Sequence, residues 1–365
     1  MSAMNRGNRD NHSNSKSGNA RNNRDNKQST MNRKRLERSQ KRQERDGSVS
    51  EQNLNIHWFP GHMTKALRQI EKELKLIDVF AEITDARLPE SGRNPLLSQI
   101  VGDKPHILLL NKRDYASPEA TKKWLEHYKS QGIIAISCDC RSGAGLENLP
   151  ALLKQVVGEK KYGGAIRVMA AGIPNSGKSS FINRMAGGKK AAVGDRPGIT
   201  RGKQWVKIDG GKAGNSSISA NFSNKGGNAG KGVELEILDL PGILSPKLEN
   251  KDVALRLAYT GAVKDEVMDV HGLAMNLAEF LYAKHKDKLI KRYNLDELLE
   301  VESEQHTDTK IDGVFLLKSI AKSRSMKIAG GELDTERAAL ALLDDFRGCK
   351  IGRITLEFPS MGDKS

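Results

Sequence analysis

Gly172-Ile173-Pro174-Asn175-Ser176-Gly177-Lys178-Ser179 decides how the rest of this chain is read. Its spacing, G-x-x-x-x-G-K-S, is that of a phosphate-binding loop. Glycines there let the backbone curl until successive N–H groups point inward at a polyphosphate. Lys178 would reach the outer phosphates, and the Ser179 hydroxyl would hold Mg²⁺. Asn175, Ser176, Gly177 and Ser180 would complete the cradle. The flanks agree: Ala165 to Ala171 (AIRVMAA) reads as a short apolar strand, and Ser180 to Met185 opens a helix.

Four further motifs fall around this loop. Asn111-Lys112-Arg113-Asp114 follows the apolar run His106 to Leu110, which gives N-K-x-D at the end of a buried strand. A carboxylate at Asp114 can accept from both N1–H and the exocyclic amine of guanine, a donor pair that adenine lacks. Asn111 would brace the loop, and the Lys112 stem would lie along the base. Asp239-Leu240-Pro241-Gly242 follows the strand Val233 to Leu238. Ligands of open α/β sheets gather at that strand edge, so Asp239 would hold Mg²⁺ and the Gly242 N–H would sense the γ-phosphate. Arg196-Pro197-Gly198-Ile199-Thr200 offers Thr200 as a switch threonine on the metal. Ser137-Cys138, at the end of a strand, fits the Ser-Ala position that closes over the base.

The order of these motifs is unusual. Ras-like GTPases run phosphate loop, switch Thr, D-x-x-G, N-K-x-D, Ser-Ala. This chain runs N-K-x-D, Ser-Ala, phosphate loop, switch Thr, D-x-x-G. A circularly permuted P-loop GTPase is expected, which keeps the same sheet and site when the old termini lay close together. The permutation places whatever follows next to the Asp239 loop, which responds to loss of the γ-phosphate. A Gln that orients the attacking water often follows D-x-x-G. That place is taken by Ile243, which cannot hydrogen-bond a water, so intrinsic hydrolysis is expected to be slow or to use another group.

Trp58-Phe59-Pro60-Gly61-His62-Met63, Asp85-Ala86-Arg87-Leu88-Pro89 with Ser91-Gly92-Arg93-Asn94-Pro95, Gly330-Gly331-Glu332, Asp345-Phe346-Arg347 and Gly352-Arg353-Ile354 closely resemble motifs of the ribosome biogenesis GTPase A family. The likeness runs from about Ile56 to Pro359. It implies a GTPase of large-subunit assembly that grips ribosomal RNA with its helical domain. It also implies that His62 supplies the catalytic group, the alternative being a packing role; His57 is a weaker candidate. A neutral imidazole can orient or polarise water. For Asn175 it implies a K⁺ ligand, the alternative being a residue that suits the turn.

Composition sets the remaining expectations. The 365 residues leave room for two domains and a tail, and no run approaches the length of a membrane span. Three cysteines without a C-x-x-C pair argue against a zinc site or a disulfide framework, and a reduced cytosolic setting fits. Residues 1–50 hold thirteen Lys or Arg against five Asp or Glu, more than half of the net charge of +15. So basic and apolar-poor a segment is expected to be a disordered arm. It would contact RNA phosphates, with a solubilising tail or a transit peptide as alternatives.

The expected layout is a basic arm over 1–50, a permuted GTPase domain over 51–250 and an all-helical RNA-binding domain over 251–359. The Gly-, Ser- and Asn-rich stretch 209–232 reads as a flexible insertion between two strands of a hairpin. Candidate helices are Leu67–Leu76, Val253–Val263, Leu273–His285, Ile311–Arg324 and Thr335–Phe346. Basic residues recur at Lys284, Lys286, Lys288, Lys291 and Arg292, then at Lys318, Lys322, Arg324 and Lys327. The functional expectation is a GTP- and Mg²⁺-dependent, K⁺-assisted assembly factor, monomeric and membrane-free, with the large ribosomal subunit and its RNA as partners. A nucleotide-gated scaffold with negligible turnover is the alternative.

Overall fold

Near-continuous apolar strands make a sheet that must be covered on both faces. In the computed structural model six strands form it: β1 (Val79–Asp85), β2 (His106–Asn111), β3 (Ile134–Ser137), β4 (Ile166–Ala171), β5 (Gln204–Ile208) and β6 (Leu235–Asp239). Their spatial order is β3-β2-β1-β4-β6-β5. All neighbours pair in parallel except β5, which runs antiparallel to β6 as the hairpin reading expects. Residues 67–68, 70–158, 164–187, 204–208, 234–240, 242–243, 250–296 and 311–359 are described. They all belong to one compact unit, Ile56–Ser365, distinct from Met1–Asn55. The basic arm, the segment with His57 and His62, the switch segment with Thr200 and the insertion 209–232 lie outside the described residues.

Side chains alternate between the two sheet faces. Val79, Ala81, Ile83, Val168 and Ala170 pack against α3 (Leu149–Val157) and α4 (Lys178–Met185). Phe80, Met169, Ala171 and Leu238 pack on the other face against α1 (Pro95–Val101), while Leu108 and Leu110 meet Trp124 and Tyr128 of α2 (Pro118–Ser130). Caps set the helix starts: Asn94 and Ser117 accept backbone N–H groups, each followed by a proline that needs no N–H partner.

Four more helices follow: α5 (Lys251–Tyr259), α6 (Val270–Tyr293), α7 (Gly313–Ser323) and α8 (Thr335–Arg347). α5 is shorter than its apolar pattern suggests, because Gly261 turns left-handed at φ +75° and ends it. α6 is longer. Leu289 and Tyr293 continue its buried face beyond a break at His285. Asp334 caps α8 by accepting from the Arg337 N–H. These helices share one apolar cluster with Leu88 and with Ile173 of the phosphate loop. No helix among the described residues is long and apolar enough to cross a membrane.

The segment after α8 has no regular structure, yet it is firmly held. The Ile354 N–H donates to the Tyr115 carbonyl (3.0 Å) and the Leu356 N–H to the Arg87 carbonyl (2.8 Å). Trp124 Nε1 donates to the Glu357 carbonyl (3.0 Å). The Glu357 carboxylate accepts from the Glu90 and Ser91 N–H groups, from Ser91 Oγ and from Arg256. This strap therefore ties the loops after β1 and β2 to α5.

Candidate functional site

The phosphate loop leaves the C-terminal end of β4 and enters α4. The loops after β2 and β6 open at the same edge, so N-K-x-D, the phosphate loop and D-x-x-G converge. Asn111 joins two of them. Its Nδ2 donates to the Ser176 carbonyl (2.7 Å), and its Oδ1 accepts from the Cys140 N–H (2.9 Å). Gly177 must be glycine here. Its φ is +98°, and a Cβ would lie 2.1 Å from Asn111 Nδ2.

Lys178 and Asp239 are both buried in the loop. Lys178 Nζ donates to the Ile173 carbonyl (2.7 Å). Burial pulls its amine down to about 8, against the attraction of Asp239. Burial pushes Asp239 up to about 6, opposed by Lys178. Asp239 Oδ1 and Ser176 Oγ are buried with no hydrogen-bond partner among the described residues. Such groups are costly unless a ligand completes them. A polyphosphate for Ser176 and Lys178 and a divalent cation for Asp239 fit that need. Ser179 and Ser180 start α4 and are half-buried. Gly242 lies against the loop as well; a Cβ on it would come within 2.8 Å of the Pro174 nitrogen and 3.1 Å of Lys178 Nζ.

Asp114 is half-buried, and burial followed by the nearby Asp139 carboxylate pushes its carboxyl up. Lys112 is left-handed at φ +60°. Its ammonium pairs with Asp85 (3.0 Å), a contact the sequence reading missed. Ser137 ends β3, and Cys138 follows it. The Cys138 N–H is spent on the Leu110 carbonyl (2.8 Å) within the sheet, and its side chain is buried. The loop that meets Asn111 begins at Asp139-Cys140, two residues further on. Asn175 is left-handed (φ +58°), and its Nδ2 donates to the Gly261 carbonyl (2.8 Å).

Ile243 is closed off from solvent. It is fully buried among Ala171, Leu97, Leu238 and Leu240, and its N–H donates to the Gly172 carbonyl (3.1 Å). Ile243→Gln is therefore expected to bury an amide rather than create a catalytic group. It should cost about 1–3 kcal/mol and leave the hydrolysis rate unraised. Denaturant unfolding and single-turnover hydrolysis check both parts; a faster variant would refute the placement.

Two findings were invisible as chemistry in the sequence. Asp85 at the end of β1 takes Arg87 in a bidentate pair (3.0 and 2.8 Å). Burial alone would raise the Asp85 carboxyl, but Arg87 and then Lys112 hold it well below the usual carboxylate range. Arg87 also donates to the Phe346 carbonyl of α8 (3.1 Å). In addition, part of the basic run on α6 is committed internally: Arg292 pairs with Asp345 (2.8 Å), and Lys288 donates to the Arg353 carbonyl (2.7 Å).

The family model described as 50S ribosome-binding GTPase matches residues 167–307. A curated relative from Priestia megaterium, named ribosome biogenesis GTPase A, is 39% identical over 320 residues, covering 85% of this chain and 99% of its own. Mitochondrial ribosome-associated GTPase 1 from Xenopus tropicalis is 32% identical, covering 66% of this chain and 75% of its own. Among solved structures, GNP-bound YlqF from T. maritima matches with a TM-score of 0.51 at 25% identity, covering 81% of this chain and 99% of that one. A GDP-bound YlqF structure matches with a TM-score of 0.52 at 26% identity, covering 80% and 99%. The permuted motif order, three of whose motifs meet at one sheet edge, and the likeness over 99% of the Priestia relative lead to one assignment: the chain is a GTP-hydrolysing member of the ribosome biogenesis GTPase A family.

Proposed function

We propose that this GTPase is an assembly factor that binds the large ribosomal subunit and its RNA while GTP is bound and leaves after hydrolysis. The observation that carries the reading is the Asn111 bridge, because it locks a guanine-type base loop to a phosphate loop across β1. Asp114 reads the base and Lys112 flanks it. Ser137 and Cys138 support the loop from the sheet, and Asp139-Cys140 closes over the ring. Ser176, Gly177, Lys178 and Ser180 hold the phosphates, and Gly242 faces the terminal one. Mg²⁺ would be held by Ser179, Thr200 and Asp239, and it supplies charge neutralisation across the phosphates. K⁺ would be held by Asn175 through its Oδ1, and His62 would orient the attacking water.

The ribosomal partner is supported by the names of the relatives and by the charge of this chain. Lys284, Lys286 and Lys291 on α6, Lys318 and Lys322 on α7 and the basic stretch 1–50 offer cations for RNA phosphates. The layout of arm, GTPase domain and helical domain at 1–50, 51–250 and 251–359 belongs to this proposal. So do a cytoplasmic setting and a monomeric state.

Lys178 makes nucleotide binding pH-dependent. Its free-state value of about 8 rises once a phosphate sits beside the ammonium, so the bound state prefers the protonated form. Between about pH 7, where Asp239 is already ionised, and that value, GDP affinity is expected to be flat. Above it, affinity should fall, approaching about tenfold per pH unit, until the bound-state value is reached. Titrations from pH 7 to 9.5 without Mg²⁺ test this; a flat profile would count against it.

GTP turnover in K⁺ buffer, with large or small subunits added, tests the function. Stimulation by large subunits alone is expected. His62→Ala should slow hydrolysis and spare GTP affinity. Equal affinity of the GTP-analogue and GDP forms for the large subunit would sink the proposal, since a ligand that does not discriminate shifts no population.

A further inference from the structure

Asp345-Phe346-Arg347 closes α8, and each of its residues reaches a different part of the molecule. Asp345 accepts from Arg292 (2.9 Å) and from Tyr293 Oη (3.0 Å), which anchors the triplet to the basic end of α6. The Phe346 carbonyl accepts from Arg87, whose guanidinium holds Asp85; Asp85 in turn holds the Lys112 ammonium of the base loop. Arg347 donates to the Ala258 and Tyr259 carbonyls (3.0 and 3.3 Å) and pairs with both Asp265 oxygens (2.8 and 2.7 Å). It thereby pins the end of α5 two residues before Gly261, whose carbonyl accepts from Asn175 of the phosphate loop.

We infer that this triplet is the junction joining the base end and the phosphate end of the nucleotide pocket to α6, and that Arg347 is a positioning residue for the phosphate loop. The physical basis is over-determination. The turn after α5 ends on a left-handed Gly261, and the Asn175 backbone is also left-handed. Glycine turns that way freely, but an asparagine seldom does, and the Asn175 side-chain bond to the Gly261 carbonyl helps to hold it there. The guanidinium fork holds four acceptor oxygens at once, two backbone carbonyls and both Asp265 oxygens, which a flexible ammonium would not do. A shift of Asn175 on nucleotide binding therefore pulls on the Gly261 turn and, through Arg347, on the end of α8. By reciprocity, a partner that moves α6 changes nucleotide affinity. The inference rests on the reading of the phosphate loop given above.

The test is a double-substitution cycle in the full-length protein, read by GDP affinity with the thermal midpoint measured alongside. Arg347→Ala is expected to weaken GDP binding about five- to tenfold. In an Asn175→Ala background the same change should add almost nothing. Asp265→Asn touches no apolar core and loosens the guanidinium from its exposed side; it should weaken GDP binding about two- to threefold, and it serves if Arg347→Ala folds poorly. Arg347→Lys should recover only part of the affinity. Unchanged GDP affinity in Arg347→Ala and Asp265→Asn, or losses that add fully to that of Asn175→Ala, would overturn the coupling while leaving the pocket intact. A parent protein that binds no guanine nucleotide would overturn both the coupling and the reading beneath it.

Discussion

Arg87→Ala is expected to remove about 3–5 kcal/mol of stability, a large share of what a domain of this kind possesses. Arg87 is only 2% exposed. Truncation would leave the Asp85 carboxylate buried with Lys112 as its only remaining cation among the described residues and would take from the Phe346 carbonyl its Arg87 donor. It would also empty the space between the Tyr115 and Phe346 rings, whose centroids lie 5.4 Å from the guanidinium carbon. Removing one partner of a buried pair is worse than never having had the pair, because the stranded charge keeps its full desolvation penalty. Arg87→Lys keeps the charge but loses the fork, so it should fall between the two. Urea unfolding decides the matter: a loss under about 1 kcal/mol would mean that the network is solvated or can re-pair.

The second large effect is on base choice. Asp114→Asn should weaken GTP binding about 10²- to 10³-fold, the equivalent of two hydrogen bonds to a charged acceptor. In the proposed site the Asp114 carboxylate would accept from both guanine donors, whereas an asparagine amide presents one acceptor and one donor. The donor would face the exocyclic amine. Xanthine carries a carbonyl at that position, so the variant should prefer xanthosine nucleotides. Competition of GDP and its xanthosine counterpart for the variant measures the reversal. GTP affinity kept within about threefold of the parent would show that Asp114 does not read the base.

Much of this architecture could be read from the chain because short-range rules govern it. The strands at Val79, His106, Ile134, Ile166, Gln204 and Leu235 begin within two residues of where apolar runs suggest. Three of them end on loops whose residue types have one efficient use. Legibility failed where a contact joins distant stretches. Arg87 and Phe346 are 259 positions apart, and nothing local in either segment marks them as partners. The base-closing loop is hard to bound from sequence because a strand end is set by its ladder: the Cys138 N–H continues pairing with Leu110 beyond the last apolar residue. The end of α6 was hidden because its charge run, Lys284 to Arg292, masks the buried spacing of Leu289 and Tyr293.

The strap formed by Ile354, Leu356 and Glu357 bears on how the protein comes into being. Synthesis is vectorial, at about 5–20 residues per second. All six strands, ending at Asp239, leave the ribosome more than a hundred residues before the strap does. A nascent chain that has completed its sheet still lacks the hydrogen bonds that hold the Arg87 and Tyr115 carbonyls and the Ser91 turn. Among the described residues, its loop after β2 then has the sheet side but not the strap to support it. Tight nucleotide capture should therefore arrive late, once residues 354–357 have docked, so that an unfinished copy does not occupy the state in which the finished protein acts.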